Sequence, residues 1–312
     1  MEIKFNPAFP VGNAAGWCKS LEEVKRLAAT DIQVIMFGSI TVPEKEGNLG
    51  YVFDDDPTFP QNSIGLRNPG LEWLEQYGVE IVRTAHSAGK KIFLSITGKN
   101  VEEFVKLSAA AEDLGFDGIE INLGCPNLVD GSKRKPVFSN NVQLSEKVVH
   151  AVMEQVGPLL VVWVKVSPSM DYEHIQAMAD MLCVGTAVDG VVTMNTVVNT
   201  LRFRPDGKPV IDTPDGTGWA GGSGRQVKAM ALGQVSMWHR ALGGRIPVIG
   251  VGGIACNPHP GERENDYGHD VMDMLRAGAS FVQVGTAYFV NGAKFFSEIA
   301  TQFINLQTET KE

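Results

Sequence analysis

Short apolar runs rich in β-branched residues alternate along this chain with longer segments whose apolar positions recur at three- and four-residue intervals. The runs at 32–37, 91–96, 118–123, 159–166, 190–194, 246–250 and 281–284 read as strands, and an eighth belongs near 9–13. Between them, 20–29, 71–88, 101–114, 143–156, 172–184, 226–241, 270–277 and 293–306 carry the helical period. Gly115, Gly185, Gly243 and Gly278 stand where a glycine is expected just past a helix C-terminus. Eight βα units without a G-x-G-x-x-G after the first strand predict an α/β chain folded as a (β/α)8 TIM barrel, with extended loops over its C-terminal mouth. At 312 residues the chain fits such a barrel as a single domain spanning 1–312.

Composition narrows the function more than the fold. The net charge of -9 leaves no basic footprint for RNA or DNA. Cys18, Cys125, Cys183 and Cys256 lie far apart with no C-x-x-C spacing, so neither a disulfide framework nor an iron–sulfur ligand set is indicated, and a reducing cytoplasm is the expected setting. The N-terminus has no apolar signal-peptide core and no apolar run reaches membrane-spanning length, which points to a soluble protein without a membrane partner.

Two connections exceed ordinary βα loops: 38–69, rich in Gly, Pro, Asp and Asn, and 196–225, with its Asp-Gly and Gly-Gly signals. Long loops in a compact domain are usually functional or disordered. A third, 128–141, carries Gly131, Ser132, Lys133, Arg134 and Lys135, which suits a mobile lid or, equally, a solvated basic loop.

The chemistry concentrates at strand ends. Ile121-Asn122-Leu123-Gly124-Cys125-Pro126-Asn127 sets a thiol and two carboxamides directly after a buried run. Cys125 could serve as nucleophile, redox thiol or proton acceptor, or simply as a small buried hydrophobe. The asparagines suit a planar ligand with amide and carbonyl edges. Glycines in Gly250-Val251-Gly252-Gly253-Ile254 and Gly285-Thr286-Ala287 follow the last two strands, where barrels commonly hold a cofactor phosphate on backbone N–H groups. Lys165 sits inside an apolar run, where an amine is costly unless it meets an anion or a polar ligand, so a ligand contact is expected, with a structural ion pair as the alternative. Asp54-Asp55-Asp56 reads as a solvated acidic turn, and Cys256, His259 and His269 as turn residues rather than a metal set. His86, His150 and His174 lie in helical stretches and are assigned no chemistry.

With these strand ends assembled, the chain resembles the class 1 dihydroorotate dehydrogenases over essentially its whole length. Asn13-Ala14-Ala15-Gly16 is similar to the family's N-A-S-G, and the segment from Asn62 through Gly65-Leu66-Arg67-Asn68-Pro69-Gly70 to its substrate loop. The 121–127 segment resembles its N-x-S-C-P-N site, with Gly124 where serine is usual, and Asn195-Thr196 and Gly221-Gly222-Ser223-Gly224 follow in family order. Leu201-Arg202-Phe203-Arg204 with Lys208-Pro209-Val210 looks most like the NAD-linked branch, whose catalytic subunit pairs with a separate electron-transfer subunit. The resemblance implies FMN across the barrel mouth, with its phosphate on Gly252, Gly253, Gly285 and Thr286. Ala15, Gly16, Ser39, Ser223 and Gly224 would line the flavin, while Asn122 and Lys165 approach its ring edge. Asn62, Gly65, Leu66, Asn122, Asn127, Asn195 and Thr196 would hold a pyrimidine, and Cys125 would be the catalytic proton acceptor in oxidising dihydroorotate to orotate, a step of pyrimidine biosynthesis. A homodimer is also implied.

One departure stands out. The position where the family carries a lysine after the second strand is Gly38, and losing a charge-assisted contact costs about 1.5–3 kcal/mol. Arg67 is a candidate replacement. The alternative function is therefore a related FMN enzyme acting on another dihydropyrimidine; a catalytically silent flavin-binding subunit is a further, different reading.

Overall fold

The structure, a computed structural model, describes residues 7–125, 129–130, 133–134, 137–184, 188–254 and 266–309. Eight strands form one parallel sheet: β1 (Val11–Asn13), β2 (Val34–Ile40), β3 (Lys91–Ile96), β4 (Gly118–Asn122), β5 (Val161–Val166), β6 (Gly190–Thr193), β7 (Val248–Val251) and β8 (Ala279–Val284). They pair in the order β1-β8-β7-β6-β5-β4-β3-β2, so each neighbour in sequence is a neighbour in space, as a (β/α)8 barrel requires. The remaining seam, between β1 and β2, closes through a side chain. The buried Asn13 carboxamide accepts from the Met36 N–H at 2.9 Å and donates to the Met36 carbonyl at 2.8 Å, while the Gln33 N–H reaches the Val11 carbonyl at 3.2 Å.

Helices α1 (Leu21–Ala28), α2 (Gly70–Ser87), α3 (Val101–Asp113), α4 (Val142–Gln155), α5 (Tyr172–Cys183), α6 (Lys228–Leu242), α7 (Tyr267–Arg276) and α8 (Phe295–Glu309) cover the outside of the barrel. Their starts follow local chemistry: Ser20, Asn100, Asn141 and Asp171 each place a side-chain oxygen on an N–H of the first turn. Past α6, Gly243 takes the left-handed φ of 58° that a glycine C-cap permits. Gly185 lies outside the described residues.

The barrel interior is layered by the two-residue period of its strands. Met36, Phe93, Trp163, Ile249 and Phe281 form an apolar plug, with the Phe93 and Trp163 ring centroids 4.6 Å apart. Gly118 and Gly190 make room for it, since a Cβ at either would lie 2.7 Å from a Phe93 or Trp163 ring atom. Two residues further along the same strands, the inward positions turn polar: Ser95, Glu120, Lys165 and Gln283, all buried. This change of layer marks where packing stops and the site begins.

Above the mouth, the two long loops form a second sheet that loop composition does not reveal. Val197–Thr200, Ala220–Gly222, Gln61–Asn62 and Phe53–Asp54 pair antiparallel as a four-stranded cap. Asp54 and Asp56 are not a solvated turn: Arg202 grips both, at 2.6 and 2.5 Å, and ties one long loop to the other. The third long connection contributes a short antiparallel pair, Val129–Asp130 with Lys133–Arg134, and returns through Ser139, whose N–H donates to the Leu123 carbonyl at 3.0 Å.

Candidate active site

The cap and the C-terminal strand ends enclose a cleft that is open to solvent. Its floor is the upper polar layer of the barrel. Glu120, fully buried, accepts from the Ser95 hydroxyl at 3.0 Å and the Gln283 amide at 3.2 Å, with the Lys165 ammonium 3.6 Å away. A buried carboxylate is tolerable only with such partners. The chain of bonds then climbs: Ser95 to the Ser39 hydroxyl (2.8 Å), Asn122 Nδ2 to Ser39 (3.0 Å), Asn195 Nδ2 to Asn122 Oδ1 (3.2 Å). Asn195 in turn accepts from the Thr196 N–H at 2.8 Å. Each carboxamide is thereby fixed in orientation before any ligand arrives. Lys165 both lines the cleft and faces Glu120, so the ion pair expected as the alternative is present and the ammonium still borders the cleft.

One wall is built of backbone. Gly252 and Gly253 have φ of 105° and 79°, conformations that L side chains rarely adopt, and a Cβ on Gly253 would lie 2.4 Å from the Lys228 Cα. The N–H groups of Gly252, Gly253 and Gly285 donate to no acceptor among the described residues. Thr286 donates to the Ser223 hydroxyl at 2.9 Å, joining this wall to the cap end at Ser223-Gly224. Converging N–H groups without protein partners fit a phosphate. Next to them Ala14, Ala15 and Gly16 leave a smooth, small-residue surface that suits a flat ring.

The opposite wall comes from the cap. Asn62, Gly65 and Leu66 line the cleft, and Gly65 and Leu66 have φ of 73° and 59°. Their N–H groups also donate to nothing among the described residues. Cys125 stands at the rim, half-buried, two residues beyond Leu123. Gly124 before it packs so tightly on β5 that a Cβ would lie 2.6 Å from the Ser167 N, which is why this backbone takes glycine there. Asn127 lies outside the described residues, as do Cys256, His259 and most of 128–136. Among the described residues no cluster of potential metal ligands occurs.

Sequence reasoning overlooked Ser95, Glu120 and Gln283, although a charged residue at the centre of Gly-Ile-Glu-Ile-Asn carried the same signal that singled out Lys165. It also overlooked Lys19, which lines the cleft. Arg67, expected as a substitute cation, is exposed, and its backbone carbonyl accepts from Lys19 Nζ at 2.5 Å. Among the described residues no helix is long and apolar enough to cross a membrane.

A family profile described as dihydroorotate dehydrogenase matches residues 2–306 of the chain. Among curated proteins, the chain is 32% identical to the probable dihydroorotate dehydrogenase A (fumarate) of Enterococcus faecalis, over 93% of this chain and 87% of that one. It is 30% identical to the dihydroorotate dehydrogenase (fumarate) of Lachancea kluyveri, over 95% and 89%. It is 29% identical to the dihydroorotate dehydrogenase A (fumarate) of Lactococcus lactis subsp. cremoris, over 97% and 91%. All three carry the fumarate designation, which overturns the expected likeness to the NAD-linked branch. The segment behind that expectation does local work instead: Arg202 holds Asp54 and Asp56, and Arg204 donates to the Val210 carbonyl at 2.8 Å and lies over the Tyr51 ring. Among solved structures, the dihydroorotate dehydrogenase of Eimeria tenella bound to ferulenol superposes with a TM-score of 0.77 over 96% of this chain and 82% of that one. At 20% identity that likeness speaks for the fold.

Proposed function

The chain belongs to the dihydroorotate dehydrogenase family, and from that premise we propose that its cleft oxidises dihydroorotate to orotate with FMN as cofactor. The observation that carries this reading is the meeting, in one cleft, of a phosphate-suited wall of open N–H groups with a thiol and a pre-oriented set of carboxamides. Gly252, Gly253, Gly285 and Thr286 would hold the FMN phosphate, with Ser223 and Gly224 beside it. Ala15, Gly16 and Ser39 would line the ring, with Asn122 and Lys165 at its edge. Asn62, Asn127, Asn195, Thr196 and the N–H groups of Gly65 and Leu66 would grip the pyrimidine.

The chemistry FMN supplies when bound is hydride acceptance from the ring carbon next to the one that loses its proton. Cys125 takes that proton on Sγ, a carbon–carbon double bond forms, and the thiol later releases the proton to solvent. Glu120 fixes the Lys165 ammonium at the cleft floor, where its charge favours electron density arriving in the ring. The 128–141 connection would exclude water from the reacting atoms. Fumarate is the electron acceptor assigned, after the designation its relatives carry, and the assembly proposed is a pair of identical chains. An anaerobic titration tests the reading: dihydroorotate should bleach the flavin bands of the purified holoenzyme. Bleaching by dihydrouracil alone would move the substrate to an uncharged dihydropyrimidine.

A further inference from the structure

The cleft holds two lysines with different surroundings. Lys165 faces Glu120. Lys19, on the loop after β1, has no carboxylate partner among the described residues: its ammonium donates once, to the Arg67 carbonyl at 2.5 Å. An ammonium carries three donors, so two remain open. They sit beside the open N–H groups of Gly65 and Leu66 and the Asn62 amide, in the same cleft as Cys125. Unmatched positive charge, two unmatched N–H groups and a carboxamide together describe a receptor for a carboxylate.

The backbone explains why the cation comes from this loop. Gly38, at the end of β2, has φ of 110°, and a Cβ there would lie 2.6 Å from the Ser95 carbonyl oxygen. No side chain fits at that position. The Gly38 peptide instead clamps the β1 loop, donating to the Cys18 carbonyl at 2.8 Å and accepting from the Gly16 N–H at 2.7 Å. Lys19 is the next residue along. Glu23 fixes its backbone, accepting from the Lys19 N–H at 2.7 Å.

We infer that Lys19 binds the carboxylate of the substrate, making the site selective for an anionic dihydropyrimidine over its uncharged counterpart. This rests on the reading of the cleft as a dihydroorotate site. The state of the amine agrees with a group awaiting an anion. Burial pulls its pKa down to about 8, with Arg67 acting the same way, while Cys125 and Glu23 act to raise it. A bound carboxylate would offset that desolvation.

The test uses FMN-loaded Lys19→Gln and Lys19→Arg proteins, with orotate and uracil binding read from the flavin spectrum. Lys19→Gln should retain its flavin, bind orotate about ten- to a hundredfold more weakly, and bind uracil as the unaltered enzyme does. Lys19→Arg should recover part of the orotate affinity. Equal orotate affinity in Lys19→Gln, or equal weakening of orotate and uracil, overturns the assignment. If dihydroorotate bleaches the unaltered enzyme while Lys19→Gln binds orotate normally, the Lys19 role falls and the enzymatic reading stands. If dihydroorotate neither bleaches the unaltered enzyme nor orotate binds it, the reading of the cleft falls and takes the Lys19 role with it.

Discussion

Cys125 as the proposed proton acceptor and Lys19 as the proposed carboxylate partner each have a measurable signature. Replacing Cys125 by alanine removes the proposed proton acceptor and leaves the glycine wall and the polar floor intact. Flavin content should hold while substrate-driven bleaching slows by roughly 10²–10⁴-fold, the usual worth of a positioned base. Stopped-flow absorbance checks it. Lys19 makes a second prediction, this time about stability. Its folded pKa of about 8 lies below its ordinary value of 10.5, so the unfolded chain holds the proton more tightly. Stability therefore carries the full penalty below about pH 8 and rises as pH climbs from there to 10.5. Lys19→Met should melt higher than the unaltered protein at pH 7, and the gap should close in alkaline buffer. A gap independent of pH would mean that lost packing, not charge, sets the difference.

The turns after β7 and β8 and the cap are where function depends on backbone shape rather than on a reactive side chain. Gly253 has a φ that alanine resists, and its missing Cβ leaves room for Lys228, itself paired at 2.7 Å with Asp270. Gly253→Ala should push the turn away from α6 and spoil the convergence of N–H groups. Purified protein should carry little flavin, while its circular dichroism stays that of a folded barrel. The cap depends on Arg202 in the same way that the wall depends on Gly253. It joins 51–56 to the 197–222 segment, whose partner strand positions Asn62 through the pairing with Gly221.

The closure of the whole barrel rests on Asn13. Its carboxamide replaces ladder bonds between the first and second strands, and it is buried at 1% exposure. Asn13→Ala would strand the Met36 N–H and carbonyl away from water, at roughly 1–3 kcal/mol for each group. The expected result is a lower urea midpoint with an unchanged slope, together with weaker flavin retention, because Ala14, Ala15 and Gly16 follow directly. An unaltered midpoint would show that the seam is held by the helices instead.

The order of strands and helices was legible in the sequence because each apolar run and each amphipathic segment reports its own burial, and burial is imposed by local periodicity. The glycine turns and the Cys125 strand end were legible for a related reason: their residue types are costly or unusual anywhere else. Glu120 could have been read the same way. The antiparallel cap could not, since its strands are two to four residues long and its two short-range pairs are joined into one sheet only by Gly221 and Gly222 meeting Asn62 and Gln61, more than a hundred positions away. Arg202 looked like a mark of acceptor branch because a motif shows residue types but not the carboxylates they meet. Lys19 passed unnoticed beside Gly38 and Arg67, because a chain of letters does not show that a clamped loop carries it into the same cleft. Sequence settled which segments are buried; tertiary structure decided which charges face one another, because charge pairing across a barrel mouth depends on distances that no local pattern encodes.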